Sequence, residues 1–292
     1  MNNIIEINNL TKLYGMERGI TDLSLSVSKG DIFGFMGPNG AGKSTTIRLL
    51  LGLISPNSGS MTIFGKDLKK NQVEIRKRIG YIPSEAMFYP SMRVEEVINL
   101  AAKLHKKDCK KVSLELCEIL QVDRKKKIEA LSLGNRKKIS IICALQHEPD
   151  LYIFDEPTSG LDPLMQKVFY DLVLERNKQG ATVFLSSHIL SEIQRYCHNA
   201  AVVRQGKLIA VDSVEQLTKT QVKKIKVFGI SSLPRLEGCF EVCEIHQGVS
   251  FLYNGEMAQL ISALNGLPVK DLLIEEPSLD EIFMRYYEKE EN

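Results

Sequence analysis

The sequence predicts an α/β protein built around a parallel sheet. Three short apolar runs, residues 32–36, 151–154 and 183–185, have the composition of buried strands. They are followed by a glycine-rich loop, by two carboxylates and by a Ser-Ser-His segment, respectively. Buried strands that deliver polar groups at their carboxyl ends are typical of an open parallel sheet.

The first run leads into a phosphate-binding loop of the form G-x-x-x-x-G-K-[ST]. The loop consists of Gly37, Pro38, Asn39, Gly40, Ala41, Gly42, Lys43, Ser44 and Thr45. The motif requires a strand before it and a helix after it, and residues 46–51 can continue as a helix. Its glycines let backbone N–H groups surround an anion, and Lys43 supplies charge for the β- and γ-phosphates. The Ser44 hydroxyl can ligate Mg²⁺, so we expect the chain to bind a nucleoside triphosphate.

The second run ends at Asp155 and Glu156. Asp155 is expected to hold Mg²⁺ through water, and Glu156 can orient or deprotonate a water that attacks the γ-phosphate. Alone, this segment could also be a strand ending in a solvated acidic turn. Beside a phosphate loop, it predicts hydrolysis of the bound nucleotide.

More motifs occur in a fixed order around these two. Residues 131–135 read Leu-Ser-Leu-Gly-Asn and precede a helical stretch, and residues 159–162 read Ser-Gly-Leu-Asp. The third apolar run leads to His188, and Tyr14 follows an alternating N-terminal segment. This order resembles the ATP-binding cassette family, the ATPase subunits of ABC transporters, over residues 1 to about 215. The resemblance implies a P-loop NTPase core with an antiparallel β subdomain and a helical subdomain, and it implies ATP and Mg²⁺ as cofactors.

The resemblance also implies roles within one cassette. Tyr14 would stack on adenine, although it could be an ordinary strand aromatic. His188 would contact the γ-phosphate and hold the attacking water together with Glu156. Lys43 would belong to the same catalytic group.

Further roles depend on two cassettes pairing head to tail, as a homodimer or a heterodimer. Asp162 would then cross the dimer interface. Ser132 and the backbone N–H of Gly134 would touch a γ-phosphate bound by the other cassette, which suits a helix N-terminus.

The chain departs from the family pattern at two sites. The usual signature is Leu-Ser-Gly-Gly-Gln, but here Leu133 adds bulk where glycine permits close approach, and Asn135 is a shorter amide. The Q-loop glutamine, which would reach Mg²⁺ and the membrane partner, is replaced by Ser84 and Glu85. A Ser84 hydroxyl can ligate Mg²⁺ but reaches less far.

Composition narrows the function classes. A net charge of +2 over 292 residues does not indicate a nucleic-acid partner. The six cysteines lack the pattern of a disulfide framework and are expected to be free thiols. A possible metal trio, Cys239, Cys243 and His246, lacks an evident fourth ligand and overlaps a strand pattern.

Two regions are expected along the chain. Residues 1–215 form the nucleotide-binding domain, with strands of the antiparallel sheet in residues 4–35 and 59–64 and a helical subdomain over about 85–145. Residues 103–138 hold twelve Lys or Arg against five Asp or Glu, which indicates a solvated face or contact with an acidic partner or anionic lipid. Residues 216–292 form an accessory α+β domain ending in a helix that a capping box opens at Ser278.

No signal peptide or membrane-length apolar stretch is apparent. We therefore expect a cytoplasmic subunit, peripheral on the inner face of the cell membrane, that acts with a separately encoded transmembrane permease. Two alternatives remain open at this point. One is a cassette ATPase acting on DNA or the ribosome, although these carry a long coiled coil or a second cassette. The other is a catalytically weak regulatory subunit, which Leu133 and Ser84 motivate.

Overall fold

The computed structural model describes residues 3–15, 18–218, 222–234, 236–275 and 277. The chain divides into two compact units, Met1–Val214 and Glu215–Asn292. Each unit has its own hydrophobic core and is described separately. Among the described residues, no helix combines the length and the apolar character that crossing a membrane requires.

A six-stranded sheet forms the centre of the first unit, in the order β10-β9-β3-β8-β7-β6. Its strands are β3 (Ile32–Met36), β6 (Ile79–Ile82), β7 (Leu151–Asp155), β8 (Thr182–Ser187), β9 (Asn199–Arg204) and β10 (Lys207–Ser213). All neighbours pair in parallel except β9 and β10. Strands β3, β7 and β8 are buried along their whole length, which confirms the predicted parallel α/β core.

A second, antiparallel sheet packs on this core in the order β2-β1-β4-β5. Its strands are β1 (Asn3–Tyr14), β2 (Arg18–Ser28), β4 (Ser58–Ile63) and β5 (Lys66–Asp67). Apolar side chains of β1, such as Ile5, share one buried cluster with Phe33 of β3 and with Ile47. The predicted antiparallel range 4–35 was wrong at its end, because residues 32–35 belong to β3 in the parallel sheet.

Helices connect and cover these sheets. They are α1 (Lys43–Leu50), α2 (Leu68–Lys77), α3 (Val94–His105), α4 (Lys110–Ile119), α5 (Leu133–Leu145), α6 (Pro163–Lys178) and α7 (Leu190–Tyr196). The short helix α8 (Val214–Thr218) begins at the last residue of the first unit. Helices α3 and α4 both pack against α5, and α5 packs against β6. Residues 85–93, which the sequence placed in a helical stretch, are not helical, and α3 begins only at Val94.

The second unit contains one antiparallel sheet in the order β12-β13-β11-β14, with a helix. Its elements are β11 (Lys223–Phe228), β12 (Cys239–Ile245), β13 (Gly248–Tyr253), α9 (Met257–Leu264) and β14 (Asp271–Glu275). Ile225, Phe251 and Leu260 lie in its buried cluster. The helix predicted from Ser278 lies outside the described residues.

Candidate functional site

The phosphate loop connects β3 to α1 and follows the backbone path that its glycines permit. Gly42, the N-cap of α1, has φ of 105°, a region that side-chain-bearing residues rarely adopt. A Cβ atom at Gly37 would lie 2.2 Å from the carbonyl oxygen of Val203. The loop therefore needs glycine at both positions, and the N-terminus of α1 opens towards it as an anion site.

Lys43 is buried at the start of α1, and its ammonium joins two motifs. Its Nζ donates to the carbonyl oxygens of Gly37, at 2.6 Å, and Pro38, at 3.1 Å. The same atom lies 3.2 Å from Glu156 Oε1. The structure thus brings the predicted phosphate-binding cation and the predicted base into direct contact.

The carboxyl ends of β7 and β8 hold the acidic pair and the histidine together. Asp155 is paired with Ser186 in the parallel register, and Ser186 Oγ donates to Asp155 Oδ1 at 2.8 Å. The backbone N–H of Glu156 donates to Ser186 Oγ at 3.1 Å. His188 Nδ1 lies 2.8 Å from Glu156 Oε2, within hydrogen-bond distance of that carboxylate.

Glu156 also has an unusual backbone and an unsatisfied oxygen. Its φ is 48°, in the left-handed region that costs a non-glycine residue energy and often occurs at functional sites. Among the described residues, its buried Oε1 has no hydrogen-bond partner, although Lys43 forms an ion pair with it. This oxygen can accept a hydrogen bond from a water or hydroxyl at the site.

Glu192 is a site residue that sequence reasoning missed. It is buried in the first turn of α7 and accepts from Thr158 Oγ1 and Ser187 Oγ, both at 2.7 Å. Thr158 follows Glu156 by two residues, and Ser187 immediately precedes His188. One buried carboxylate therefore joins the segments that carry Glu156 and His188. In the sequence, Glu192 looks like any acidic residue in a first helical turn.

Tyr14 lies at the end of β1 with its side chain 45% exposed. Leu13, next to it, pairs with Gly19 of β2, and a Cβ at Gly42 would lie 3.2 Å from the Gly19 carbonyl oxygen. This end of the β1–β2 pair is therefore adjacent to the phosphate loop. An exposed aromatic ring in that place suits a nucleobase.

We predict that Tyr14→Ala weakens ATP binding by about tenfold, because base–aromatic stacking contributes about 1–3 kcal/mol per base. Binding of inorganic tripolyphosphate should stay unchanged, since it has no base to stack. Calorimetry with both ligands measures the difference, and Tyr89→Ala, which removes another exposed tyrosine, is the control. Equal losses for both ligands would show that Tyr14 does not stack on adenine.

The signature segment forms the N-terminus of α5. Ser132 is the N-cap, and its Oγ accepts from the backbone N–H and the side-chain amide of Asn135, at 3.3 and 3.1 Å. A Cβ at Gly134 would lie 2.6 Å from the Gly160 carbonyl oxygen, so only glycine allows this approach. Among the described residues, no hydrogen bond joins Ser132 or Gly134 to residues 37–45.

Three other predicted positions have local contacts. Asp162 is the N-cap of α6 and accepts from the backbone N–H of Met165 at 3.0 Å. Leu133 is 58% exposed and lies beside Gly160, so its bulk is accommodated within the chain. Ser84 is exposed after β6, and its carbonyl oxygen accepts from Lys137, a buried lysine that sequence reasoning also missed.

A phosphate loop and a carboxylate–histidine pair on the carboxyl edge of one parallel sheet define the class of P-loop ATPases. A family model described as ABC transporter matches residues 20–159. The chain belongs to the ABC transporter family and is an ABC transporter ATPase.

Full-length relatives support this assignment. The chain is 38% identical to the bacitracin transport ATP-binding protein of Bacillus licheniformis, with 98% of this chain and 97% of the relative covered. It is 30% identical to the Nod factor export ATP-binding protein I of Cupriavidus metallidurans, with 98% and 97% covered. A solved ATP-binding subunit of an ABC transporter matches with a TM-score of 0.67 at 31% identity, over 73% of this chain and 91% of that chain.

Proposed function

We propose that this chain hydrolyses ATP to drive export through a separately encoded transmembrane permease. The contact of Glu156 with both Lys43 and His188 carries the proposal, because it places a base between a phosphate-binding cation and a second polar group. Similar proteins are named for bacitracin transport, linearmycin resistance and Nod factor export, and these names favour an exporter. By the same resemblance, the chain would act in the cytoplasm at the inner face of the membrane.

Each residue of the site has a role in this proposal. The loop N–H groups and Lys43 bind the β- and γ-phosphates, and Tyr14 stacks on adenine. Glu156 accepts a hydrogen bond from the attacking water through its unsatisfied oxygen and orients it along the line of displacement. His188, 2.8 Å from the other oxygen of that carboxylate, fixes its rotamer and reaches the γ-phosphate.

The donor groups at this edge also fit Mg²⁺. Asp155 is a buried carboxylate at the end of β7, and Ser44 is a half-buried hydroxyl in the first turn of α1. Oxygen donors of this kind suit a small hard cation, with Ser84 as a further donor on the Q-loop. When bound, Mg²⁺ neutralises charge on the phosphates.

We further propose that residues 1–215 act as the nucleotide-binding domain and residues 216–292 as an accessory domain. Two cassettes would pair head to tail, as a homodimer or with another cassette. Ser132 and Gly134 would then meet the γ-phosphate held by the partner, and Asp162 would cross the interface. The N-terminus of α5, with Leu133 and Ser132 exposed, is available for such an anion contact.

Mixing two inactive variants tests the shared site. Ser132→Arg should bind ATP as a monomer but fail to dimerise, because bulk and charge enter the interface. In the proposed dimer, each composite site combines the phosphate loop of one chain with Ser132 of the other chain. In a heterodimer of Lys43→Ala with Ser132→Arg, one composite site therefore carries both substitutions and the other carries neither. We expect the purified heterodimer, isolated through two affinity tags, to recover part of the wild-type turnover.

The matched control pairs Lys43→Ala with Glu156→Gln. These two residues touch within one chain, so each composite site keeps one lesion and turnover should stay absent. If the Lys43→Ala and Ser132→Arg heterodimer is equally inactive, then either Ser132 does not act on the partner's nucleotide or hydrolysis requires two intact sites. Absence of ATPase activity in the wild-type chain, with and without a membrane partner, would contradict the proposed function itself.

A further inference from the structure

A buried lysine connects the signature helix to the loop after β6. Lys137 lies in the second turn of α5 and is only 2% exposed. Its Nζ donates to the carbonyl oxygens of Pro83 and Ser84, both at 2.9 Å. These two residues follow β6 directly, at the position of the Q-loop.

Burying the Lys137 ammonium at this position costs free energy. Burial lowers the pKa of Lys137 to about 8, and the carboxylates of Asp155 and Glu156 oppose that effect. A buried cation bound to neutral carbonyls is less favourable than a well-packed apolar side chain of similar volume. Packing alone therefore does not account for a lysine here, whereas its two hydrogen bonds to the loop after β6 do.

The position of Lys137 complements the departure at Ser84. In the family pattern a glutamine side chain reaches from this loop into the site, but Ser84 is shorter and exposed. Here the loop is held through its backbone, and the group that holds it comes from α5. Ser132 caps the same helix, which approaches Gly160 through Gly134.

We propose that Lys137 is a positioning residue that fastens residues 83–84 to the signature helix, so that movement of α5 on cassette pairing moves this loop at the catalytic centre. This inference rests on the proposed function, because the contact of Lys137 with residues 83–84 affects activity only if the cassettes pair and hydrolyse ATP. An α-helix is stiff over two turns, so a displacement at Ser132 is carried to Lys137. The two charge-assisted hydrogen bonds carry it on to the loop.

The test compares Lys137→Met, which keeps the length but removes the charge and both bonds, with Lys137→Arg, which keeps a cation. Lys138→Met is the control, because Lys138 is the next residue on α5 and is half-buried. Hydrogen exchange followed by mass spectrometry should show faster exchange in residues 84–92 for Lys137→Met, by about tenfold, as local opening becomes easier. Exchange in β7 and β8 should not change.

Steady-state kinetics provides the second measurement. We expect Lys137→Met to lower kcat by about tenfold and to leave KM for ATP within about twofold, because the nucleotide cradle is untouched. Lys137→Arg should recover most of kcat, and Lys138→Met should behave as wild type.

Several results would overturn the inference. Local exchange and kcat equal to those of Lys138→Met would show that the link has no role. Faster exchange throughout the chain, in Lys137→Met and in a milder Lys137→Gln, would make Lys137 a stability residue only. Exchange does not depend on turnover, so a wild-type chain without ATPase activity would refute the proposed function, while the exchange data would still decide whether Lys137 holds the loop.

Discussion

Glu156→Gln is expected to bind ATP as the wild type does and to lose about 10²-fold or more of its turnover, the scale of a general base. The glutamine keeps the size of the side chain and one oxygen that can accept from His188 Nδ1, which lies 2.8 Å from the present carboxylate. The neutral glutamine cannot take a proton from water, and it no longer forms an ion pair with Lys43. The phosphate cradle is formed by other residues and should remain intact.

Turnover and association should therefore separate in this variant. Because ATP binds but is barely hydrolysed, the ATP-bound dimer should accumulate, which size-exclusion chromatography with ATP and Mg²⁺ can detect. The control is Glu148→Gln, which removes a carboxylate paired with Lys107 and Arg176 outside the site. Unchanged steady-state turnover in Glu156→Gln would refute the assignment of this residue as the base.

The parts of the site that the sequence predicted are short motifs that directly follow a strand in the sequence. The phosphate loop, the Asp155–Glu156 pair and His188 each follow an apolar strand, and parallel pairing of β7 with β8 brings the latter two together. Their proximity depends only on strand order and on the common direction of the strands. Local pattern was therefore sufficient to predict this edge of the sheet.

The residues that the sequence did not reveal act through tertiary contacts. Glu192 joins segments that lie 34 and 5 residues away, and Lys137 reaches a loop more than 50 residues away. A glutamate in a first helical turn and a lysine in a basic stretch are ordinary surface residues by composition. Only the packing of α5 and α7 against the sheet buries these charges and gives them partners.

Leu133 shows another limit of prediction from the sequence. The sequence indicated that Leu133 adds bulk at a position where glycine allows close approach. In the structure its side chain is largely exposed and lies beside Gly160, while Gly134, the next residue, makes the close backbone approach. Which of two adjacent positions needs glycine depends on the direction of the Cα–Cβ bond at the helix start, which a motif does not specify.

Lys43→Ala is expected to weaken ATP binding by about 10- to 100-fold, since hydrogen bonds to charged groups contribute about 1.5–3 kcal/mol. Turnover should fall by a further 10²-fold or more, the scale found when a donor to developing charge is removed. Lys43 is buried and holds two loop carbonyls, so its loss also frees the loop from Gly37 to Pro38.

Removal of Lys43 has a second consequence, at Glu156. The carboxylate loses the ammonium that lies 3.2 Å from its Oε1. Its Oε2 keeps the contact with His188 Nδ1, so the side chain is held at one oxygen instead of two and the residual turnover should fall accordingly. Lys29→Ala removes an exposed lysine near the start of β3 and serves as the control for net charge. Calorimetry and steady-state turnover measure the two effects, and tight ATP binding by Lys43→Ala would show that the ammonium does not hold the phosphates.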